Sequence, residues 1–519
     1  MPSFENVTEH WNLCKPAVAG RKGIVATNHY EVSEIGADVL RRGGNAVDAA
    51  VAVSFAIGVV EPWNSGLGGC GFMQVFDAAR RKVTSIDFGT VSPRGIEVGD
   101  YPLAGGTAEG GFNWPAVIGD RNIVGPLSVG VPTLVAGMAR ALETFGTRSW
   151  ASSLEGAIAL AERGMLIDWY ASLLLASEAA EMARFPDLAA LYMPGGHTPA
   201  AGWSGPLPRL DLGPLAATLQ HLAEAGPGDF YHGVLADRID ADARRIHCPL
   251  RKVDLESFEA RVCEPSVGQY RGATVHSAPG LSAGPSLLHA LELLEAHTLA
   301  PAPDAATYMA YAESLFEAYR VRLATMGEVA RAPSSTTTFS VVDGDGNMAI
   351  VTQTLMSGFG SKIRLPQTGV ILNNGMLWFD PVPGQPNAIA PGKRPLSNMA
   401  PTVVLREDRA DFGLGALGGR HIFPAIFQLI SFIHDFGMDP GEAMAQPRID
   451  VSGGEEVTVD ARLKGPVLNA LGAGHPVAVE QNGVLPEAFA CANIVMQDKS
   501  GGQSAAVHIP MPWALAVAV

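Results

Sequence analysis

The chain has 519 residues, 47% of them hydrophobic, so it can bury a large core in one layered domain or in two or three smaller ones. Lys and Arg total 36 and Asp and Glu total 52, which gives a formal net charge of −16. This acidic balance argues against nucleic acid or an anionic membrane as a partner.

The cysteines, the histidines and the start of the chain indicate no metal and no secretion signal. The five cysteines are scattered without a C-x-x-C pair, and the 13 histidines show no H-x-x-x-H or H-E-x-x-H spacing. We therefore expect neither a disulfide framework nor a zinc site, and no cofactor. The first residues lack a basic stretch followed by an apolar core, and the most apolar stretch, 49–60, is too short to span a bilayer. A soluble, cytoplasmic protein is expected.

In the N-terminal half, apolar periodicity and Gly or Pro punctuation predict alternating strands and helices. Asn45 is the expected N-cap of a helix whose apolar face contains Val47, Val51, Phe55 and Val59. Strands are predicted at 23–28, 72–76 and 83–87. Further helices are predicted at 33–42, 134–145, 150–163 and 215–225.

The C-terminal half contains a block rich in strands between helices. Asp343-Gly-Asp-Gly-Asn347 is a strong hairpin signal between the first two of these strands. The strands are predicted at 337–343, 348–354, 369–373 and 402–405. The helices are predicted at 308–326, 422–436 and 440–445. This mixture suits a layered α/β or α+β core, and the pattern alone does not choose between them.

The segment SSTTTFSVVD, from Ser334 to Asp343, is the most informative part of the chain. A run of threonines at the start of a strand is ordinarily explained by β-propensity. A chain that cuts itself before Thr336 would also give the Thr336 hydroxyl a base, the freed α-amine, whose reference pKa is near ~8. Nucleophile and base would then belong to one residue, and no histidine would be required.

A glycine-rich segment, GLGALGGR from Gly413 to Arg420, precedes the helix predicted at 422–436. We interpret it as a loop whose backbone N–H groups can turn toward a ligand, helped by the dipole of the following helix. It matches neither the P-loop nor the dinucleotide-binding pattern.

Two other nucleophiles have to be considered. Gly280-Leu-Ser-Ala-Gly284 fits G-x-S-x-G between a strand predicted at 273–277 and a helix at 285–297, so Ser282 could serve a serine hydrolase. Later histidines could complete its triad: His421, His434, His475 and His508. Cys70 could act as a thiol nucleophile, although a small buried cysteine packing a tight turn is the simpler interpretation.

Taken together, several motifs resemble those of the gamma-glutamyltransferase family, also called gamma-glutamyltranspeptidase or glutathione hydrolase. They are GGNAVDAA from Gly43, EPWNSGLGG from Glu61, TTTFSVVD from Thr336, KRPLSNM from Lys393 and LGGR from Leu417. The matches keep the family's order from 23 to 448. The resemblance implies an α+β protein with the four-layer αββα fold of N-terminal nucleophile hydrolases.

The resemblance also implies a proenzyme that cleaves itself into a large subunit, 1–335, and a small subunit, 336–519. The two subunits would remain together as one domain. Thr336 would be the nucleophile and Thr354 its hydrogen-bond partner. The partners implied are these two subunits and a small-molecule amide substrate.

In the resemblance, Gly418 and Gly419 form the oxyanion hole, and Ser397 lines the acyl pocket. The pocket is also where the sequence departs from the family pattern, because Asn398 replaces a second serine. Residues that grip the charged γ-glutamyl headgroup in the family are replaced at Gly89, Met356, Gly375 and Trp378. A buried zwitterion without polar partners is costly, so we expect a changed acyl group.

Three functions remain open. The first is a self-processing threonine amidohydrolase or acyltransferase, with an acyl-enzyme on Thr336, that cleaves a gamma-glutamyl-like or other acyl amide. The second is a relative that cleaves itself but catalyses nothing further. The third is a serine hydrolase with Ser282 as nucleophile.

Overall fold

Two seven-stranded antiparallel sheets form the centre of the molecule, in a computed structural model that describes residues 11–107, 114–202, 204–326, 335–452, 454–485 and 488–519. The first sheet contains, in spatial order, Leu515–Ala518, Gly23–Thr27, Ser335–Asp343, Met348–Met356, Cys70–Asp77, Lys82–Phe88 and Arg261–Cys263. The second sheet contains Val18–Gly20, Gln503–Val507, Cys491–Gln497, Arg409–Leu417, Thr402–Arg406, Ala273–Ser277 and Ser266–Tyr270.

Helices cover the outer face of each sheet. Tyr30–Arg41, Ala46–Val60 and Leu134–Phe145 pack on the first sheet. Gly284–Glu295 and Ile422–His434 pack on the second sheet, and the long helix Ala305–Met326 packs on Gly284–Glu295. The two sheets face each other across a separate apolar layer. The order of layers is therefore helix, sheet, sheet, helix.

Shorter elements surround these four layers. The remaining helices are Trp150–Arg163, Trp169–Ser177, Ala179–Met182, Pro186–Tyr192, Leu215–Ala225, Asp229–His232, Val234–Arg245, Lys252–Glu256, Pro440–Ala445 and Gly465–Gly474. Small sheets pair Ile449–Asp450 with Val457–Asp460 and Val477–Glu480, Leu103–Thr107 with Pro115–Val117, and Met165–Leu166 with Arg209–Leu210.

The helix Ala46–Val60 shows how burial overrides a sequence pattern. Asn45 caps it as predicted: its side chain accepts from the N–H groups of Val47 and Asp48, and the Asp48 carboxylate accepts from Asn45. Nearly every residue is buried, because the helix lies between the first sheet and Trp150–Arg163. The single apolar face predicted for it was too narrow. Neither this helix nor any other in the described part of the chain is long and apolar enough to cross a membrane.

The predicted hairpin is present and lies at the centre of the first sheet. Ser335–Asp343 pairs with Met348–Met356, and the Asp343 carboxylate accepts hydrogen bonds from the backbone of Asp345 and Asn347 within the turn. Because the hairpin is flanked by a strand on each side, both of its strands are central.

The strand predicted at 369–373 is not formed. Its only pairings within the described chain are isolated bridges, from Ile371 to Arg364 and from Leu372 to Gly68. Gly369 has a φ of +74°, which an extended strand does not allow, and Asn373 uses its side chain on the carbonyls of Gly68 and Gly130. The sequence prediction recognised the apolar residues but not these turn-forming contacts.

The glycine-rich segment was also misread in part, because 413–417 is the end of strand Arg409–Leu417 rather than a loop. Here the glycines let the two sheets approach. A Cβ atom on Gly413 would lie 2.5 Å from Ile350, and one on Gly415 would lie 2.2 Å from Thr338. Gly418 and Gly419 alone turn away from the strand.

Candidate active site

Thr336 lies at an irregular point in the hairpin. The register shifts between Ser335, which pairs with Met356, and Thr337, which pairs with Gln353, so Thr336 occupies a bulge. Thr336 is only 1% exposed, and its Oγ1 lies 3.3 Å from Oγ1 of Thr354. Residues 327–334, just before the bond predicted to break, lie outside the described residues.

The Thr354 hydroxyl is held by the backbone. Its Oγ1 accepts from the N–H of Met356 at 2.6 Å and from the Thr336 hydroxyl. Met356 has a φ of +86°, a left-handed conformation that is rare for a side chain of this size. The backbone of Met356 therefore helps to fix the Thr354 hydroxyl beside Thr336.

Gly418 and Gly419 follow the strand that faces the hairpin. Their φ angles are +128° and +58°, a conformation that glycine adopts readily, so the chain leaves the extended strand at this point. Neither N–H donates to another described residue, while the Gly418 carbonyl accepts from His421. Along this strand Gly413 faces Ile350, and Gly415 faces Thr338 and Thr352. The strand Arg409–Leu417 therefore packs against both strands of the hairpin, Ser335–Asp343 and Met348–Met356.

A buried carboxyl, Glu61, lies next to Thr337 on the strand Ser335–Asp343. Its Oε2 accepts from Asn64 Nδ2 at 3.1 Å, and its Oε1 has no partner among the described residues. Burial raises the pKa of Glu61 to about 7, against smaller opposing effects of Asn64 and Thr337. Thr337 in turn accepts from Asn28 at 3.2 Å. Sequence reasoning used Glu61 only as a motif residue.

A cavity of about 680 Å³ contains three of the residues predicted to bind substrate, namely Gly89, Trp378 and Ser397. Trp378 belongs to an apolar cluster that also contains Phe72 and Met356. The Met356 N–H donates a hydrogen bond to the Thr354 hydroxyl, which accepts another from the Thr336 hydroxyl. These contacts connect the apolar cluster at the cavity wall to Thr336. The cavity is therefore the candidate acyl pocket.

The other three predicted binding residues do not line this cavity. Met356 is buried behind Trp378 in the same apolar cluster. Gly375 begins the turn Gly375–Trp378, and a Cβ atom there would lie 2.8 Å from Thr90. Asn398 is buried beside Ser397. These positions shape the pocket from behind.

An ion-pair network at the cavity was missed by sequence reasoning. Arg394 Nη1 donates to Asp87 Oδ1 at 3.0 Å and to the Gly89 carbonyl at 3.1 Å. Arg261 binds the other oxygen of Asp87. Arg394 is part of the motif that begins at Lys393, but its partner lies 307 residues away in the chain. No local pattern could connect them.

Arg322 holds together two loops beside the cavity. Its Nη1 donates to the Ser282 carbonyl at 3.0 Å, and its Nη2 donates to the Ser397 carbonyl at 2.7 Å. Burial lowers the pKa of Arg322 to about 10, and the guanidinium is still charged at neutral pH. Arg322 lies on the helix Ala305–Met326 of the predicted large subunit and binds Ser397 of the predicted small subunit, so it connects the two.

Ser282 lacks the contacts that a nucleophilic serine requires. It is fully buried, its Oγ donates to the Ala278 carbonyl at 2.6 Å, and it accepts from the Gly284 N–H at 3.0 Å. Among the described residues none of the four candidate histidines hydrogen-bonds to it; these are His421, His434, His475 and His508. Its contacts are those of a residue that shapes the turn before a helix.

Cys70 is buried in the apolar cluster with Phe72 and Trp378. Burial raises the pKa of its thiol to about 12, so it stays protonated at neutral pH. The described part of the chain also holds no group of three His, Cys, Asp or Glu side chains suited to a metal ion.

Comparison with known proteins gives consistent similarities. A family model described as gamma-glutamyltranspeptidase matches residues 32–334 and 327–508. The chain is 34% identical to "Acylase ACY 1 proenzyme" of a Pseudomonas species over 484 residues, which cover 85% of this chain and 84% of that protein. It is 30% identical to "Glutathione hydrolase proenzyme" of Bacillus subtilis over 521 residues, which cover 89% and 86%.

Solved structures agree on the architecture. Cephalosporin acylase from Bacillus halodurans superposes with a TM-score of 0.86 at 24% identity, covering 100% of this chain and 99% of that one. Gamma-glutamyltranspeptidase from Helicobacter pylori gives a TM-score of 0.52 at 28% identity, covering 62% and 86%. The predicted α+β fold of N-terminal nucleophile hydrolases is thereby confirmed.

Proposed function

This chain belongs to the gamma-glutamyltranspeptidase family and is an enzyme, and from that premise we propose that it is a self-processing threonine amidohydrolase or acyltransferase with Thr336 as nucleophile. The observation that carries the proposal is the buried pair of hydroxyls, Thr336 and Thr354, at the bulge of the central hairpin.

Once the bond before Thr336 is broken, the freed α-amine can take the hydroxyl proton of the same residue. The Thr354 hydroxyl, fixed by the Met356 N–H, orients the Thr336 oxygen. That oxygen attacks the substrate carbonyl carbon, and a new C–O bond forms. In this proposal the nucleophile carries its own base, and the contact between the Thr336 and Thr354 hydroxyls supports its orientation.

The negative charge on the former carbonyl oxygen requires hydrogen-bond donors. We assign this role to the N–H groups of Gly418 and Gly419, because neither donates a hydrogen bond to another residue in the described chain. The intermediate collapses, the C–N bond breaks, and the leaving amine receives the proton held by the α-amine. Water or a second amine then attacks the acyl carbon and gives a proton to the α-amine, the ester bond to Thr336 breaks, and that proton passes to the Thr336 oxygen as the acid or new amide leaves.

Processing into two subunits, 1–335 and 336–519, is part of the proposal. The printed names of the Pseudomonas and Bacillus subtilis relatives, both called proenzymes, support it. Both sheets contain strands from each predicted subunit, so the two would remain one folded unit after cleavage.

For the acyl group, we infer a chain without a charged α-amine. Trp378 lines the cavity, and Met356 packs with it in the same apolar cluster, at positions where the family pattern has polar headgroup contacts. Gly375 is packed against Thr90 and offers no side chain to a ligand. The relatives' names, an acylase and a glutathione hydrolase, are consistent with more than one acyl group within the family.

The alternatives are less well supported. Membership in a family of enzymes argues against a self-cleaving chain that catalyses nothing further. The buried contacts of Ser282 argue against the serine hydrolase.

The test is a hydrolysis screen of the purified protein on γ-glutamyl, glutaryl and short unsubstituted acyl anilides, after N-terminal sequencing of its fragments. We expect a small fragment that begins Thr-Thr-Thr-Phe-Ser and turnover of at least one anilide. An intact chain with full activity would refute the proposal.

A further inference from the structure

The glycine turn, residues 418–421, is contacted by the segment 448–452. This segment contains the strand Ile449–Asp450, and in an extended chain alternate side chains lie on the same face. Three polar side chains of the segment follow that spacing, and each is only 2% exposed: Arg448, Asp450 and Ser452. Buried polar groups at this spacing need partners, and they find them on both sides of the turn.

His421 ends the glycine turn, and two of these side chains hold its ring. Its Nδ1 lies 2.9 Å from Asp450 Oδ2 and 2.6 Å from Ser452 Oγ. The Ser452 hydroxyl also contacts Asp450 Oδ2. The backbone N–H of His421 donates to the Gly418 carbonyl at 3.1 Å. The ring contacts therefore fix the same residue whose backbone closes the turn.

These contacts determine which nitrogen of His421 carries a proton. Burial opposes ionisation of Asp450, but His421 and Ser452 outweigh it and hold the pKa of this carboxyl below its ordinary value. A carboxylate oxygen 2.9 Å from Nδ1 requires a hydrogen atom on that nitrogen. Serine and carboxylate both meet Nδ1, whereas a catalytic triad needs them on different nitrogens. The group therefore supports the turn and is not a second nucleophile.

Arg448 acts on the other side of the turn. Its Nη2 donates to the Ala490 carbonyl at 2.8 Å. A Cβ atom on Gly418 would lie 2.9 Å from the Ala490 Cα, so Ala490 packs directly against the glycine. The segment is itself anchored, because Gln428 accepts from the Ile449 N–H at 2.9 Å and donates to the Ile449 carbonyl at 2.8 Å. One anchored segment thus holds the glycine turn from two sides.

We propose that His421 is a positioning residue for the proposed oxyanion donors. Held through Nδ1 by Asp450 and Ser452, it keeps the turn in the conformation that leaves the N–H groups of Gly418 and Gly419 available to the substrate oxygen. Without the ring contacts the turn would relax, which weakens stabilisation of the intermediate more than binding of the substrate. This inference rests on the proposed function and names a residue that acts through the donors of the same site.

The kinetic experiment compares three substitutions of His421 on an anilide that the hydrolysis screen identifies. In His421→Asn the side-chain N–H can replace that of Nδ1, so we expect kcat within about threefold of the wild type. His421→Gln places its amide near the position of Nε2, and His421→Leu has none. In both, kcat should fall at least roughly tenfold at an unchanged KM, a part of the loss expected for a missing oxyanion donor.

The matched control is His434→Leu, the same substitution at the far end of the helix Ile422–His434, where the ring contacts the Arg271 carbonyl instead. It should keep the wild-type kcat. An equal loss in His421→Asn and His421→Leu, or a change confined to KM, would overturn the positioning role.

The ring of His421 is observed without turnover in long-range ¹H–¹⁵N spectra of protein labelled with ¹⁵N-histidine. The signals missing from His421→Asn assign it. We expect Nδ1 to carry a proton in the wild type and its signal to move in Asp450→Asn. That result supports the hold on the turn even if no anilide is cleaved, so it separates this inference from the proposed catalysis. A His421 ring with the proton on Nε2 alone would overturn it.

Discussion

The surroundings of Thr336 and the cavity at Gly89 are built in different ways. At Thr336, strands and glycines set the geometry, with Gly413 and Gly415 allowing the facing sheet to approach the hairpin. At Gly89, long side chains from distant segments set it, with Arg394 and Arg261 meeting on one carboxylate.

The difference shows why reaction chemistry and substrate choice can change separately. A change at the sheet interface would move the hairpin that holds the proposed nucleophile, since a single Cβ on Gly415 would overlap Thr338. A change at the cavity replaces one side chain by another and leaves both sheets as they are. The four predictions below test this separation.

The largest effect is expected at the nucleophile. Thr336→Ala should remain a single chain of about 54 kDa and lose all turnover, because it removes the hydroxyl that attacks the carbonyl. Gel electrophoresis and the anilide assay measure both. Thr336→Ser, which keeps a hydroxyl, is the control and should still be cleaved. Full activity in Thr336→Ala would contradict the assignment.

The next effect is expected at the oxyanion donors. Gly418→Val should reduce kcat by on the order of 100-fold or more for every acyl group, because it should displace the proposed oxyanion donor. Gly418 has a φ of +128°, and a Cβ atom added there would lie 2.9 Å from the Ala490 Cα, so a side chain has no room. Gly437→Ala is the control, since Gly437 also has a positive φ, +66°, but faces open space. A loss restricted to one acyl group would show that Gly418 belongs to substrate recognition.

A smaller effect concerns stability and pH. Because burial raises the pKa of Glu61 from 4.5 to about 7, the folded state favours the protonated carboxyl. The free energy of unfolding therefore keeps its full contribution from Glu61 below pH 4.5. It declines, by up to about 3 kcal/mol, as the pH rises to 7. Glu61→Gln should remove this decline.

The measurement is the thermal midpoint at pH 5 and pH 7.5, made on the Thr336→Ala background, which we expect to be a single chain. Glu259→Gln, at an exposed carboxyl, is the control and should keep the wild-type dependence. An unchanged pH dependence in Glu61→Gln would show that Glu61 is ionised in the folded protein.

The smallest effect is expected at Gly89. Its added Cβ in Gly89→Ala would lie 3.3 Å from Phe72 and 3.4 Å from Arg394, a contact that small shifts can relieve. We expect a loss of about 2- to 5-fold in kcat/KM for the anilides of the hydrolysis screen, on the scale of one weakened contact, with processing into two fragments unchanged. Impaired processing in Gly89→Ala would mean that the two regions are coupled.

The sequence predicted the features that depend on local pattern. The Asn45 cap, the hairpin at Asp343 and most helices follow from spacing and turn residues, and the fold class followed from the family resemblance. The strand Arg409–Leu417 was partly missed because Gly413 and Gly415 look like loop residues. The reason for glycine at these positions is the close contact with Ile350 and Thr338 of the facing sheet, which the local sequence does not reveal.

The candidate site divides in the same way. Thr336, Thr354 and the two glycines could be predicted because they lie in short motifs, although their roles remain proposals. The contact between Arg394 and Asp87 could not, since the two residues are 307 positions apart and each alone resembles an ordinary surface charge. Burial of Glu61, which determines its pKa, likewise depends on packing from several elements.

The arrangement of strands has a consequence for the order of events in the life of the protein. The strand that begins at Ser335 lies between Gly23–Thr27 and Met348–Met356, so the proposed new chain end would form inside a completed sheet. The bond before Thr336 is held against Thr354 only after segments from both ends of the chain have assembled. Under the proposed function, folding would therefore precede cleavage, and fragments 1–335 and 336–519 made separately would have to interleave strands in two sheets to recover the same site. Each molecule would then process itself only after both sheets have assembled.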